Sequence, residues 1–158
     1  MNKLFLIDGA VGTGKSDLVN FVKTYLNNYD INIVSKHTTR EPRIKEEAKE
    51  TDLSFVSQQQ FKEWKSELGE QCYTYPYGGS QYGFSKSVLI DSVTKHEFTF
   101  VIVRNKALID RIQEELKEMA YVLHIFIYTD EGLAAKRLKK EGFDNQAISF
   151  RLKRNEMV

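Results

Sequence analysis

The chain has 158 residues, 41% hydrophobic and 28% charged, enough for one domain with a single core and ordinary for a soluble globular protein. A formal net charge of +1 gives no general electrostatic case for a nucleic-acid or membrane partner, and no apolar run approaches the length of a membrane span. The single cysteine, Cys72, excludes an internal disulfide framework, the scattered His37, His96 and His124 make no metal site, and Met1-Asn2-Lys3 is no secretory leader, so a cytoplasmic protein is expected.

The first apolar run, residues 3–7, reads as a strand. It leads into Gly9-Ala10-Val11-Gly12-Thr13-Gly14-Lys15-Ser16, a complete G-x-x-x-x-G-K-[ST] pattern. Residues 17–27 follow with helical spacing, Leu18, Val22 and Leu26 sharing one face. A strand, a glycine loop and a helix N-terminus together make an anion cradle. The glycines let successive backbone N–H groups point inward, and the helix dipole adds partial positive charge. Lys15 can then reach the β and γ phosphates of a nucleotide, and the Ser16 hydroxyl can bind Mg²⁺.

Residues 31–36, 98–104 and 121–129 read as three more buried parallel strands, rich in Ile, Val, Leu or Phe with little alternation. Helices are predicted over 105–119, with Leu108, Ile112 and Leu116 on one stripe, and over 130–141, ending at Gly142. The alternation implies right-handed crossovers and an α/β sheet. Residues 38–97 interrupt it. They hold a charged loop (40–52), a helix over 57–68 with Ser57 and Gln60 as a capping box, a Tyr/Gly stretch (73–82) and a helix over 85–94. The run from Arg43 to Glu50 reads as a solvated loop. An insertion on the phosphate-loop side is a natural acceptor site.

A phosphotransferase needs cations from several directions to hold a second phosphate in line with the donor's terminal one. Arg40 and Arg43, Arg137, and Arg151 supply them in chain order after the loop, with Tyr82 late in the insertion. Here the sequence resembles the guanylate kinase family. The matching elements are Gly-Thr-Gly-Lys-Ser, Ser35-Lys36-His37-Thr38-Thr39-Arg40-Glu41-Pro42-Arg43, Phe55-Val56-Ser57, Tyr82-Gly83, and Arg137-Leu138 followed by Gly142 and Arg151-Leu152. The resemblance spans essentially the whole chain. It implies a three-layer P-loop kinase fold with a core (residues 1–37 and 98–136), a monophosphate-binding insertion (38–97) and a helical lid (137–151). It implies ATP with Mg²⁺ as donor, a nucleoside monophosphate as acceptor, and conversion of GMP or dGMP to the diphosphate. Arg40, Arg43 and Tyr82 would hold the acceptor phosphate. Arg137 and Arg151 would close over the transferring group, and Lys15 would stabilise its charge.

The departures cluster on the acceptor base. Where the resemblance implies guanine-reading carboxylates, the aligned positions are Tyr73 and Asn105, with Glu70 three residues from the first. Phe84, Leu53, Lys36 and Glu141 also replace family residues, and the third strand ends Ile102-Val103-Arg104-Asn105 rather than in aspartates. Carboxylate bonds to guanine are worth roughly 1.5–3 kcal/mol each, so their loss should abolish strong guanine selection. Tyr82-Gly83 with Ile90-Asp91, and more weakly Val103-Arg104-Asn105, also looks like the ribose 1,5-bisphosphate kinases, which would make the acceptor a phosphosugar. A non-catalytic nucleotide- or phosphoprotein-binding module is the third alternative. The resemblance further implies a helix and a fifth strand beyond Val158. Without them the strand at 121–129 would be an apolar edge, leaving a fragment, a homodimer or some other cover as the alternatives.

Overall fold

The computed structural model describes residues 1–10, 12–43 and 52–153. Its central sheet is parallel. Strand β1 (Lys3–Gly9) runs between β7 (Phe98–Ile102) and β8 (Tyr121–Ile127), and β2 (Ile31–Ile33) pairs with the far side of β7, giving the order β2-β7-β1-β8. Period-two alternation sorts β1 onto two faces. Phe5 and Ile7, with Phe100 and Ile102 of β7, pack under Val19 and Val22 of α1 (Lys15–Tyr25). Leu4 and Leu6, with Val101 and Val103, face the opposite layer. There they meet Leu89 and Val93 of α3 (Lys86–Lys95) and Leu108, Ile109, Ile112 and Leu116 of α4 (Lys106–Leu116). Each fully buried aliphatic side chain contributes roughly 1.5–3 kcal/mol, so this second layer is the main core.

The strand expected over 31–36 is two strands in two sheets. The Val34 amide still bonds to the Phe100 carbonyl at 2.9 Å, but the Lys36 amide turns to Asp52 at 2.8 Å. Strand β3 (Lys36–Thr38) thus joins a second sheet with β4 (Leu53–Phe55), β5 (Cys72–Tyr77) and β6 (Ser80–Ser85), in the order β4-β3-β6-β5. The Tyr/Gly stretch is therefore a hairpin. Tyr77 pairs with Ser80 across Gly78 and Gly79, whose φ angles of 59° and 80° suit a two-residue turn. Helix α2 (Gln58–Leu68) starts with the expected capping box: Ser57 Oγ accepts from the Gln60 amide at 3.1 Å, and Gln60 Oε1 accepts from the Ser57 amide at 2.8 Å.

Two helices follow the central sheet. Asp130 caps α5 (Glu131–Lys140), accepting from the Leu133 amide at 2.8 Å. Its end at Gly142 is stitched by Phe143 N–H to Leu138 and Gly142 N–H to Lys139, a Schellman pair. Helix α6 (Asn145–Lys153) folds back, and Leu138, Ile148, Phe143 and Leu152 pack with Tyr77 of the hairpin. Strand β8 is an edge among the described residues, and it is not covered on both faces as expected: Tyr121, Leu123 and Ile125 are exposed on one of them. No helix among the described residues is long and apolar enough to cross a membrane.

Candidate active site

The loop after β1 is built from its own side chains. Asp8 Oδ1 accepts the Gly9 amide at 2.6 Å, and Thr13 Oγ1 donates to the Ala10 carbonyl at 2.8 Å. A Cβ on Gly9 would lie 2.5 Å from the Ile127 carbonyl oxygen, so no larger residue fits against β8 there. Gly14 sits at φ 90° directly before the first turn of α1, which opens at Lys15 with the amides left to bind an anion. Lys15 Nζ donates to the Gly9 and Ala10 carbonyls at 2.7 and 2.6 Å. Ser16 is exposed at the loop mouth, and Val11 lies outside the described residues.

A cavity of about 620 Å³ opens in front of this loop. Gly12 to Asp17 line one side, Lys36, Arg40, Arg43 and Tyr82 another, and Arg137 and Lys140 of α5 a third. Among the described residues, seven cationic side chains face it against three carboxylates, Asp17, Asp52 and Glu141. The near-zero net charge of the chain thus hides a strongly positive pocket, suited to several phosphate groups.

The Thr-Thr-Arg element earns its place through the backbone. Thr38 Oγ1 accepts the Arg40 amide at 3.1 Å, and Thr39 Oγ1 accepts the Gln81 amide at 2.9 Å. These bonds tie the Arg40 loop to β6, where Tyr82 pairs with Thr38 and its ring stacks on Tyr75. Arg40 lies over the Phe55 ring. Lys36 is buried, its Nζ donating to Asp52 at 3.1 Å and to the Ile102 carbonyl at 2.8 Å. Arg137 Nη1 donates to the Gly12 carbonyl at 3.3 Å, which brings α5 onto the phosphate loop.

Three expected site residues lie elsewhere. Tyr73 is in the main core, with its hydroxyl donating to Glu115 at 2.7 Å, and Asn105 caps α4 by accepting the Leu108 amide at 2.8 Å. Neither lines the cavity. Both side chains are committed to packing or capping and are poor acceptor readers here. Arg151 also lies off the lining, its guanidinium 4.1 Å from the Phe143 ring centroid, with Arg43 on the same ring at 5.6 Å. The lining instead includes Tyr75, Tyr77 and Arg104, none of which the sequence singled out as ligands.

Burial, and then the neighbouring Arg104, depress the Lys15 pKa from 10.5 to about 7. A bound polyphosphate supplies opposite charge and restores the protonated form. Binding of a polyphosphate above pH 7 is therefore expected to take up a proton, with affinity falling by up to roughly tenfold per pH unit as pH rises from 7 to 9. Titration calorimetry with ATP–Mg²⁺ at pH 8, in buffers of different ionisation heat, should show uptake of close to one proton; buffer-independent heats would refute it. For the empty protein the sign is opposite. The unfolded chain binds the extra proton between about pH 7 and 10.5, so this group makes stability rise with pH in that window.

The geometry has counterparts among solved structures. A guanylate kinase from Anaplasma phagocytophilum superposes with a TM-score of 0.63 at 22% identity, over 99% of this chain and 84% of that one. A chain of the Pnkp1/Rnl/Hen1 RNA repair complex superposes with a TM-score of 0.56 at 16% identity, over 99% of this chain and 44% of that one. A gluconokinase from Sinorhizobium meliloti 1021 reaches 0.43 at 12% identity, over 97% and 74%. No protein-family model and no curated protein matches the chain. The fold is accordingly an α/β P-loop kinase fold with a four-stranded parallel sheet.

Proposed function

We propose that this chain is an ATP–Mg²⁺-dependent phosphotransferase acting on a small phosphorylated acceptor. The observation that carries the reading is one cavity lined by the phosphate loop, by Arg40, Arg43 and Tyr82, and by Arg137. Donor phosphates belong on Gly12 to Ser16, with Lys15 turning from the loop carbonyls to the β and γ oxygens. The acceptor phosphate belongs on Arg40, Arg43 and Tyr82. The donor set fits a Mg²⁺ ion held chiefly by nucleotide phosphates and waters, with the Ser16 hydroxyl as its protein ligand. Such an ion neutralises charge on the terminal phosphates. Asp17 is the nearest carboxylate in sequence, while Asp8 is already engaged by the Gly9 amide.

The cations at the acceptor end favour a phosphosugar over guanine. Guanine presents N1–H and N2–H donors, which require acceptors. The lining offers Lys36 and Arg104, both donors, and its Asp52 carboxylate is paired with Lys36. A coupled ADP-release assay over GMP, dGMP, the other nucleoside monophosphates and pentose and hexose phosphates tests both points. Turnover is expected with a phosphosugar, exceeding that with GMP at least roughly tenfold, the worth of one good hydrogen bond. Preference for GMP would overturn the acceptor assignment, and no transfer to any of them would remove the enzymatic one.

A further inference from the structure

We propose that Arg104 is a catalytic residue that grips the terminal phosphate of the donor as it passes to the acceptor. The inference rests on the phosphotransferase reading and assigns a role to a side chain to which the sequence motifs gave none. Arg104 follows β7 and is 8% exposed, yet it lines the cavity. Two parts of the protein meet at it, and a third is joined through Tyr77. Asp8, directly before the phosphate loop, lies with its Oδ1 3.9 Å from Arg104 Nε. Tyr77, at the tip of the acceptor hairpin, receives a hydrogen bond from Nη1, and the guanidinium lies 4.0 Å from its ring centroid. The same Tyr77 packs with Leu138 of α5.

A transferring phosphoryl group must sit where donor loop, acceptor site and lid converge, and Arg104 is the cation at that seam. Its Nε makes no hydrogen bond among the described residues. Its charge is the strongest of those acting on Lys15. Two cations held this close repel in the empty site, a cost recovered when a phosphate oxygen comes between them. A guanidinium fixed on a tyrosine ring is also pre-oriented, so little side-chain entropy is lost when it binds.

A purely structural role, pinning Tyr77, would affect every ligand of the cavity alike. A grip on the terminal phosphate distinguishes ATP from ADP. The test is therefore the affinity of the full chain for ATP–Mg²⁺ and for ADP–Mg²⁺, measured calorimetrically without acceptor, in the parent, Arg104→Gln and Arg104→Lys. Arg104→Gln should weaken ATP roughly 10- to 100-fold, the range of one or two charge-assisted hydrogen bonds. ADP should stay within about twofold, which also shows that the variant is folded. Arg104→Lys keeps the charge but loses the fork, so its ATP-specific loss should be smaller, about threefold or more. If Gln does not fold, Lys carries the same comparison. Equal weakening of ATP and ADP, or none, in the folded variants overturns the proposal. An acceptor panel that yields no transfer leaves this comparison intact, so the two readings fail separately.

Discussion

Replacing Lys15 with methionine is expected to collapse phosphoryl transfer by ~10²–10³-fold while leaving the empty protein as stable as the parent, or more so. The first half follows from where charge develops. In the proposed reaction the terminal phosphoryl carries negative charge that Lys15 would meet from the loop, and a group acting mainly there lowers kcat more than it weakens ground-state binding. Methionine keeps the aliphatic stem and the packing, so the loss reports the charge.

The second half follows from the neighbours of Lys15. Burial and the Arg104, Lys36 and Arg43 charges all disfavour its ammonium, and among the charges Asp8 opposes them. Below about pH 7, where the ammonium persists, the parent bears this repulsion in full. Lys15→Met relieves it, so thermal unfolding at pH 6 should shift upward by as much as a few degrees. The loop should persist, because Asp8 and Thr13 hold it by bonds that do not involve Lys15. Turnover near the parental value would refute the catalytic assignment. A fall in the unfolding temperature would show that the bonds from Nζ to the Gly9 and Ala10 carbonyls outweigh the repulsion.

The strand, loop and helix of the proposed donor half were legible because their determinants are local. The glycine spacing, the apolar run before it and the helical stripe after it all lie within residues 3–27. The capping box at Ser57 is likewise contained in four residues. The acceptor half was less legible because sheet partners decide it. Tyr73, Tyr75 and Tyr77 alternate as a strand should, and Gly78-Gly79 is a hairpin signal, but Pro76 speaks against a strand. It is tolerated because β5 is the edge of the second sheet. Tyr73 and Tyr75 share one face of β5 and one buried core, yet two residues of rise, about 7 Å, bring only the second to the cavity wall. Arg104 was visible as an anomaly where carboxylates were expected and within a weak phosphosugar-kinase echo, with no role attached. Its meaning comes from Asp8 and Tyr77, which lie 96 and 27 residues away in the chain.

Arg137→Ala is expected to lower kcat by ~10³-fold or more with ADP affinity nearly unchanged, as for an arginine that stabilises a transferring phosphoryl group from outside the phosphate loop. Helix α5 presents Arg137 to the loop at Gly12 and leaves it lining the cavity. The neighbouring Leu138 is 1% exposed in the cluster with Ile148 and Phe143, so the helix does not depend on Arg137 for its anchorage. The bond to the Gly12 carbonyl is long and solvent can replace it, so its loss should cost about 1 kcal/mol or less. Arg137→Lys retains charge at the end of a more flexible stem and should recover only part of the rate. The measurement is single-turnover transfer to the best acceptor of the panel, with ADP binding measured in parallel. Undiminished transfer in Arg137→Ala would remove α5 from the catalytic machinery. An equal loss of ADP affinity would instead make Arg137 a brace for the phosphate loop, because its bond to Gly12 of that loop is present before any phosphate moves.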